Sequence, residues 1–171
     1  YIRPDKSFLN HKSFVKERVV YRVLQEYARS GVFEKLYIFS NSNMSTIVKK
    51  ITLENYYEKI NDLIVNTIHT VNFLKNNNAI MSSVGEMCKS CRSATFGLYD
   101  MESTKEKKFF NIEKEIEKVF YFVLSKKTLQ ADQGMIQSLS DRLKKAKTSE
   151  LVNVMYSIFS LDYENDFVYT E

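Results

Sequence analysis

Residues 103–127, Ser-Thr-Lys-Glu-Lys-Lys-Phe-Phe-Asn-Ile-Glu-Lys-Glu-Ile-Glu-Lys-Val-Phe-Tyr-Phe-Val-Leu-Ser-Lys-Lys, carry a strong hydrophobic pattern. Ser103, Thr104, Lys105 and Glu106 read as a capping box, in which the Ser hydroxyl and the Glu carboxylate satisfy unpaired amides at a helix start. Phe109, Ile112, Ile116, Val119, Phe120 and Val123 then recur at nearly heptadic spacing, with Glu113, Lys114, Glu117 and Lys118 outside. The spacing predicts a helix to about Lys127, packed along its length against a neighbour.

The rest of the chain reads compatibly. It holds one proline, Pro4, and four glycines in 171 residues, so the strongest helix breaker is missing from Asp5 onward. On the N-terminal side, Leu53, Tyr57, Ile60, Ile64, Ile68 and Val71 predict a helix over about 53–75, ended by Asn76-Asn77-Asn78. A further helix is expected over 79–98, with Val84, Met87, Cys88, Cys91, Ala94, Thr95 and Leu98 on one side. Val20, Val23, Leu24 and Tyr27 mark the inward face of a helix over 12–30, stopped by Ser30-Gly31. Residues 32–40 read as a short helix, although Leu36-Tyr37-Ile38-Phe39 has strand-like composition. Ser40-Asn41-Ser42-Asn43 is a break, after which Met44, Ile47, Val48 and Ile51 resume helical spacing.

On the C-terminal side, Ile136, Leu139, Leu143 and Ala146 define a helix ending near Lys147. Thr148 or Ser149 then caps a last helix that buries Leu151, Val154, Met155 and Ile158. The expected fold is all-α, a compact bundle of six or seven mostly antiparallel helices over residues 1–161, followed by an acidic, aromatic tail over 162–171.

Size and composition agree with a globular domain: hydrophobic residues make up 44% and charged residues 27%. No segment is apolar for long enough to span a membrane. The chain opens on Tyr1 with no apolar leader and reads as a fragment or processed product. Two cysteines cannot build a multi-bridge framework, which favours a reducing, intracellular setting in cytoplasm or nucleus. The net charge of +4 conceals a gradient, because all 25 Lys and Arg precede residue 148 while Glu150, Asp162, Glu164, Asp166 and Glu171 follow it.

Few residues suggest chemistry. Glycines at 31, 85, 97 and 134 cannot write a P-loop or a dinucleotide fingerprint. His11 and His69 stand in no ligand-spaced pair and beside no nucleophile motif, so no metal, cofactor or catalytic residue is expected. Cys88-Lys89-Ser90-Cys91 is the sharpest candidate, as a redox pair, as part of a metal site that would need two more ligands or, within a helical stripe, as core or semi-buried thiols. Lys105, Lys107, Lys108, Lys126, Lys127, Arg142, Lys144, Lys145 and Lys147 are candidate contacts to nucleic acid or another anionic surface, or lysines solvating helix ends. Tyr163, Phe167 and Tyr169 form a candidate docking segment or a frayed terminus.

The function expected from these readings is a non-enzymatic helical adaptor or assembly domain with a protein partner, homo-oligomerisation remaining open. Its 23 aromatic residues (11 Tyr, 12 Phe) exceed the needs of a small bundle interior. Nucleic-acid or anionic-surface binding and a thiol redox factor are the alternatives.

Overall fold

The computed structural model describes residues 1–99, 105–131, 134–146, 152–161 and 166–171. From the N-terminus the elements are β1 (Ile2–Arg3), α1 (His11–Ser30), β2 (Leu36–Tyr37), β3 (Phe39–Ser40), α2 (Asn41–Ile47), α3 (Tyr56–Lys75) and β4 (Met81–Ser82). They continue through β5 (Ser93–Ala94), β6 (Gly97–Tyr99), β7 (Glu106–Lys108), β8 (Glu117–Ser125), α4 (Lys126–Ala131), α5 (Met135–Ala146), β9 (Asn153–Leu161) and β10 (Phe167–Thr170). The all-α expectation is therefore overturned: the described residues form five α-helices and a six-stranded mixed sheet.

The chain divides into two compact units, one of residues 1–67, 88–96 and 108–112, the other of 68–87, 97–107 and 113–171. In the first unit, α1 begins where the Asn10 side chain accepts the Ser13 N–H at 2.9 Å, and it ends at Gly31. Gly31 has φ of 84°, the left-handed conformation that closes a helix. The inward face is rotated from the expected one. Tyr21, Leu24 and Ala28 pack with Leu36, Ile38 and Phe33, whereas Val20, Val23 and Tyr27 are exposed. The inward set includes Glu17, a residue no hydrophobic pattern selects.

Residues 32–40 form no helix. Leu36-Tyr37 pairs in parallel with Ser93-Ala94, and Phe39-Ser40 in parallel with Ile2-Arg3. Phe39, Phe96 and the fully buried Phe109 gather beneath these strands, with ring centroids 6.0–6.1 Å apart. The long α3 lies close to expectation. Ile60, Ile64 and Val71 are buried, but Leu53 precedes the helix and is exposed, and Tyr56 takes the buried place expected of Tyr57.

The second unit holds the sheet, in the order β4-β9-β8-β10-β6-β7. Strands β8 and β9 are parallel in the register Glu117↔Asn153 to Ser125↔Leu161, joined by the crossover that carries α4 and α5. Strand β10 runs antiparallel between β8 and β6.

Residues 103–127 thus contain two strands where one helix was expected, and Ser103 and Thr104 lie outside the described residues. The reason is burial on both faces of the sheet. Phe120, Phe122 and Leu124 pack with Leu139 and Leu143 of α5, while Val119, Tyr121 and Val123 are buried on the alternate face. A strand covered on both sides needs no polar alternation and reads as one apolar run.

The same double burial explains the missing last helix. Met155 and Ile158 belong to β9, and Leu151 lies outside the described residues, as do Thr148 and Ser149. The helix over 79–98 gives way to β4, an irregular segment, β5 and β6. The helix ending near Lys147 does form, as α5.

Candidate functional site

Because β1 and β3 are parallel, their carboxyl ends open on the same side, where crevices of α/β sheets receive ligands. A cavity of about 280 Å³ lies there in the first unit, walled by Arg3 to Ser7 after β1, by Ser40, Ser42 and Asn43 at the β3–α2 junction, and by Phe110 and Asn111.

Its side chains are held from behind. Arg3 makes a two-pronged ion pair with Glu17, Nε to Oε1 at 2.7 Å and Nη2 to Oε2 at 3.1 Å. The guanidinium lies 4.1 Å from the ring centre of Tyr21 and 5.6 Å from that of Phe110. Hydrogen bonding to Glu17 raises the already high pKa of Arg3. Asp5 accepts the Ser7 N–H at 2.9 Å and the Ser7 hydroxyl, bonds that hold its carboxyl below the usual carboxylate range. The Tyr56 hydroxyl donates to the other Asp5 oxygen at 3.4 Å.

The cavity therefore offers two cations, one carboxylate and several hydroxyl and amide groups, a donor set suited to a polar, anionic small molecule. Beside its Ser40–Asn43 wall, Asn41 is buried with an Oδ1 that has no hydrogen-bond partner among the described residues. No group of three or more His, Cys, Asp or Glu among the described residues is placed to hold a metal.

In the second unit a cavity of about 450 Å³ lies where the end of α3 meets the sheet, between Leu74, Lys75, Asn77, Asn78, Ala79, Ser82, Val84 and Met87 on one side and Tyr121, Ser157 and Phe159 on the other. Lys75 pairs with the buried carboxylate of Glu171, which also accepts the Tyr121 hydroxyl at 3.0 Å.

The residues singled out in the sequence are dispersed. Lys105 precedes β7, and Lys107 and Lys108 lie within that edge strand. Lys126 and Lys127 open α4 instead of ending a helix. Arg142, Lys144 and Lys145 are on α5, with Lys144 3.7 Å from Asp141, and Lys147 is outside the described residues. Phe167 and Tyr169 are strand residues of β10, and Tyr163 is not among the described residues.

Cys88 and Cys91 stand as half-exposed thiols at the corners of a turn closed by the Cys91 N–H donating to the Cys88 carbonyl at 3.1 Å. Hydrogen bonds from the Cys91 thiol and from Ser90 lower the Cys88 pKa to about 7. His69 is exposed on α3.

Sequence reading missed the cavity at β1 and β3. Its available signal was Ser40-Asn41-Ser42-Asn43, a polar cluster directly after a short apolar run, matched by Pro4-Asp5-Lys6-Ser7 after Ile2.

No family model matches this sequence, and no curated protein does. Solved structures do match. A TubZ-Bt chain in a four-stranded filament model superposes with a TM-score of 0.67 at 17% identity, covering 99% of this chain and 50% of that one. The FtsZ dimer of M. jannaschii gives 0.57 at 7% identity, over 80% of this chain and 44% of that one. The GTPγS-form protofilament of Bacillus thuringiensis serovar israelensis TubZ gives 0.53 at 18% identity, over 78% and 39%. The chain spans about half the length, or less, of the proteins it matches, and it has their FtsZ/TubZ-like fold.

This likeness corrects the functional expectations. The helical adaptor expectation, with nucleic-acid binding and a thiol redox factor as alternatives for the function of the whole chain, gives way to this likeness, because the chain does not form the bundle it assumed. The exclusion of enzymatic activity falls with it, since it assumed packed helices with no cleft, and the chain has the fold of a protein crystallised in a GTPγS form. No described helix is long and apolar enough to cross a membrane.

Proposed function

We propose that this chain is part of a self-assembling, FtsZ/TubZ-like filament subunit whose assembly responds to a guanine nucleotide. The observation that carries the reading is the match of 99% of the chain to TubZ in a filament. A filament requires two unlike faces that meet head to tail without closing into a ring.

The crevice at the carboxyl ends of β1 and β3 adds support. Arg3 and Lys6 offer charge to an anion, and Ser40, Ser42 and Asn43 offer groups that bond hydroxyls and ring nitrogens. No glycine-rich phosphate cradle occurs in these 171 residues, so in this reading the phosphates are held chiefly by groups outside them. Arg3 is already committed to Glu17, and Lys6, whose ammonium stands 5.9 Å from the centre of the Phe14 ring, is the other cation of the crevice.

Sedimentation and negative-stain microscopy with GTPγS, with GDP and without nucleotide test the reading. Pelletable polymer that is more abundant with GTPγS than with GDP is expected. Lys6→Ala should weaken binding of a fluorescent guanine nucleotide about tenfold, the worth of one charged hydrogen bond. A subunit containing this chain that stays monomeric under all three conditions and binds no guanine nucleotide overturns the proposal.

A further inference from the structure

The Cys88–Cys91 turn has no part in the filament reading, and its geometry points to chemistry of its own. The i to i+3 bond from the Cys91 N–H to the Cys88 carbonyl, at 3.1 Å, closes a β-turn. Such a turn holds its end Cα atoms within ~7 Å, and disulfides span roughly 4.4–6.8 Å. The turn lies in an irregular segment between β4 and β5, so no helix has to distort for the sulfurs to meet. Both thiols are half-exposed and open to a small oxidant, and they are the two cysteines of the whole chain.

The Cys88 sulfur lies 3.2 Å from the Ser90 hydroxyl, and the Cys91 thiol also hydrogen-bonds to it. Lys89 lies within the pair and Arg92 directly follows it, and the Arg92 Nε donates to the Lys89 carbonyl at 3.2 Å. Hydrogen-bond donors around one sulfur favour its thiolate, the species that attacks peroxides.

We propose that Cys88 and Cys91 form a modification site for hydroperoxides, in which Cys88 is the attacking thiolate and Cys91 resolves it to an intramolecular disulfide. In the first step the Cys88 thiolate attacks one peroxide oxygen, the O–O bond breaks, and the second oxygen leaves as water or an alcohol after taking a proton from solvent. Cys88 is now a sulfenic acid. In the second step the Cys91 sulfur attacks the Cys88 sulfur, the S–S bond forms, and the S–O bond breaks. The hydroxide released combines with the proton given up by Cys91. Two thiols are oxidised, one peroxide is reduced, and a dithiol reductant reverses the change.

The modification would reach the fold through Arg92. Its carbonyl accepts the Leu36 N–H at 2.6 Å, the bond that leads into the β2–β5 pair. Its guanidinium lies over Gly31 at the end of α1. Closing the disulfide fixes the turn from which both contacts start.

The size of the effect follows from ionisation. A thiol with pKa of about 7 is half ionised at neutral pH, roughly fiftyfold more than one at the ordinary value of 9, and its lower intrinsic nucleophilicity returns part of that gain. Cys88 should therefore react about fivefold faster than an ordinary thiol.

Intact-mass spectrometry of the native chain with stoichiometric hydrogen peroxide provides the test. The wild type should lose two hydrogens, become resistant to iodoacetamide and recover with dithiothreitol. Cys91→Ser should accumulate a sulfenic acid at Cys88 that dimedone traps, and Cys88→Ser should react several-fold more slowly. Phenylarsine oxide, which needs two nearby sulfurs, should bind the native wild type and neither variant. The same peroxide reaction in urea, where the turn is lost, should show no preference for Cys88. Equal rates for the two variants, a preference that survives in urea, or oxidation solely to sulfinic acid or disulfide-linked dimers would each overturn the proposal.

Discussion

Gly97 shows how closely single atoms are fitted in the second unit. A Cβ there would lie 2.6 Å from the Thr170 Oγ1, 3.1 Å from a Glu106 carboxylate oxygen and 3.3 Å from the Lys107 carbonyl. Thr170 cannot swing aside freely, since its hydroxyl donates to that same Glu106 at 2.6 Å. The other Glu106 oxygen receives the ammonium of Lys118, a nearly buried cation that also stands 3.6 Å from Glu115. Gly97→Ala should cost about 1–3 kcal/mol in urea unfolding, the usual penalty for an added methyl in a filled site. Lys118→Met removes the ammonium from the half-buried Glu106 carboxylate and should cost about 1.5–3 kcal/mol by the same measurement, the worth of a charged hydrogen bond. The double variant Lys118→Met/Glu106→Gln should recover a large part of that loss, because a neutral pair no longer needs solvation. For the thiols, alkylation of Cys88 by iodoacetamide should rise through a midpoint near pH 7 and level off above it, since only the thiolate reacts.

Helix α1 separates what its sequence announced from what it concealed. Its span and its Gly31 stop were legible, because periodicity and a left-handed cap are local properties. Its inward face was not, because the face includes Glu17, stabilised by an Arg3 that lies 14 residues away. Val15, Val19, Val20, Val23 and Tyr27 all remain exposed. Val19→Asp and Val23→Asp should change stability by less than about 0.5 kcal/mol, whereas Leu24→Ala should cost about 2 kcal/mol or more, and paired thermal melts would report a reversed rotation at once. Strands β8 and β9 failed to announce themselves for a different reason. Val119-Phe120-Tyr121-Phe122-Val123-Leu124 is unbroken by polar residues, so it satisfies a helical stripe as readily as a strand buried on both faces. The polar crevice at β1 and β3 was harder still to see, since it joins Arg3–Ser7 to Ser40–Asn43 across parallel strands of only two residues each.

At the scale of the whole molecule, the connectivity of the second unit matters more than any one contact. Strand β10 supplies the middle of the sheet, with Phe167–Thr170 paired to β8 on one side and Val168–Thr170 paired to β6 on the other. Beyond it, Glu171 exchanges backbone bonds with Val119 at 2.9 and 3.0 Å and buries its carboxylate beside Lys75 and Tyr121. Removing residues 166–171 should expose two strand edges together, so the truncated chain should bind a hydrophobic dye, lose cooperative unfolding and aggregate. The order in which a ribosome delivers these pieces then acquires significance. The sixth strand's place lies between neighbours synthesised dozens of residues earlier, so this unit cannot finish closing until translation has reached its final strand. Until then the nascent polypeptide carries open, adhesive hydrogen-bonding borders, and its survival depends on a chaperone or on how quickly that strand arrives.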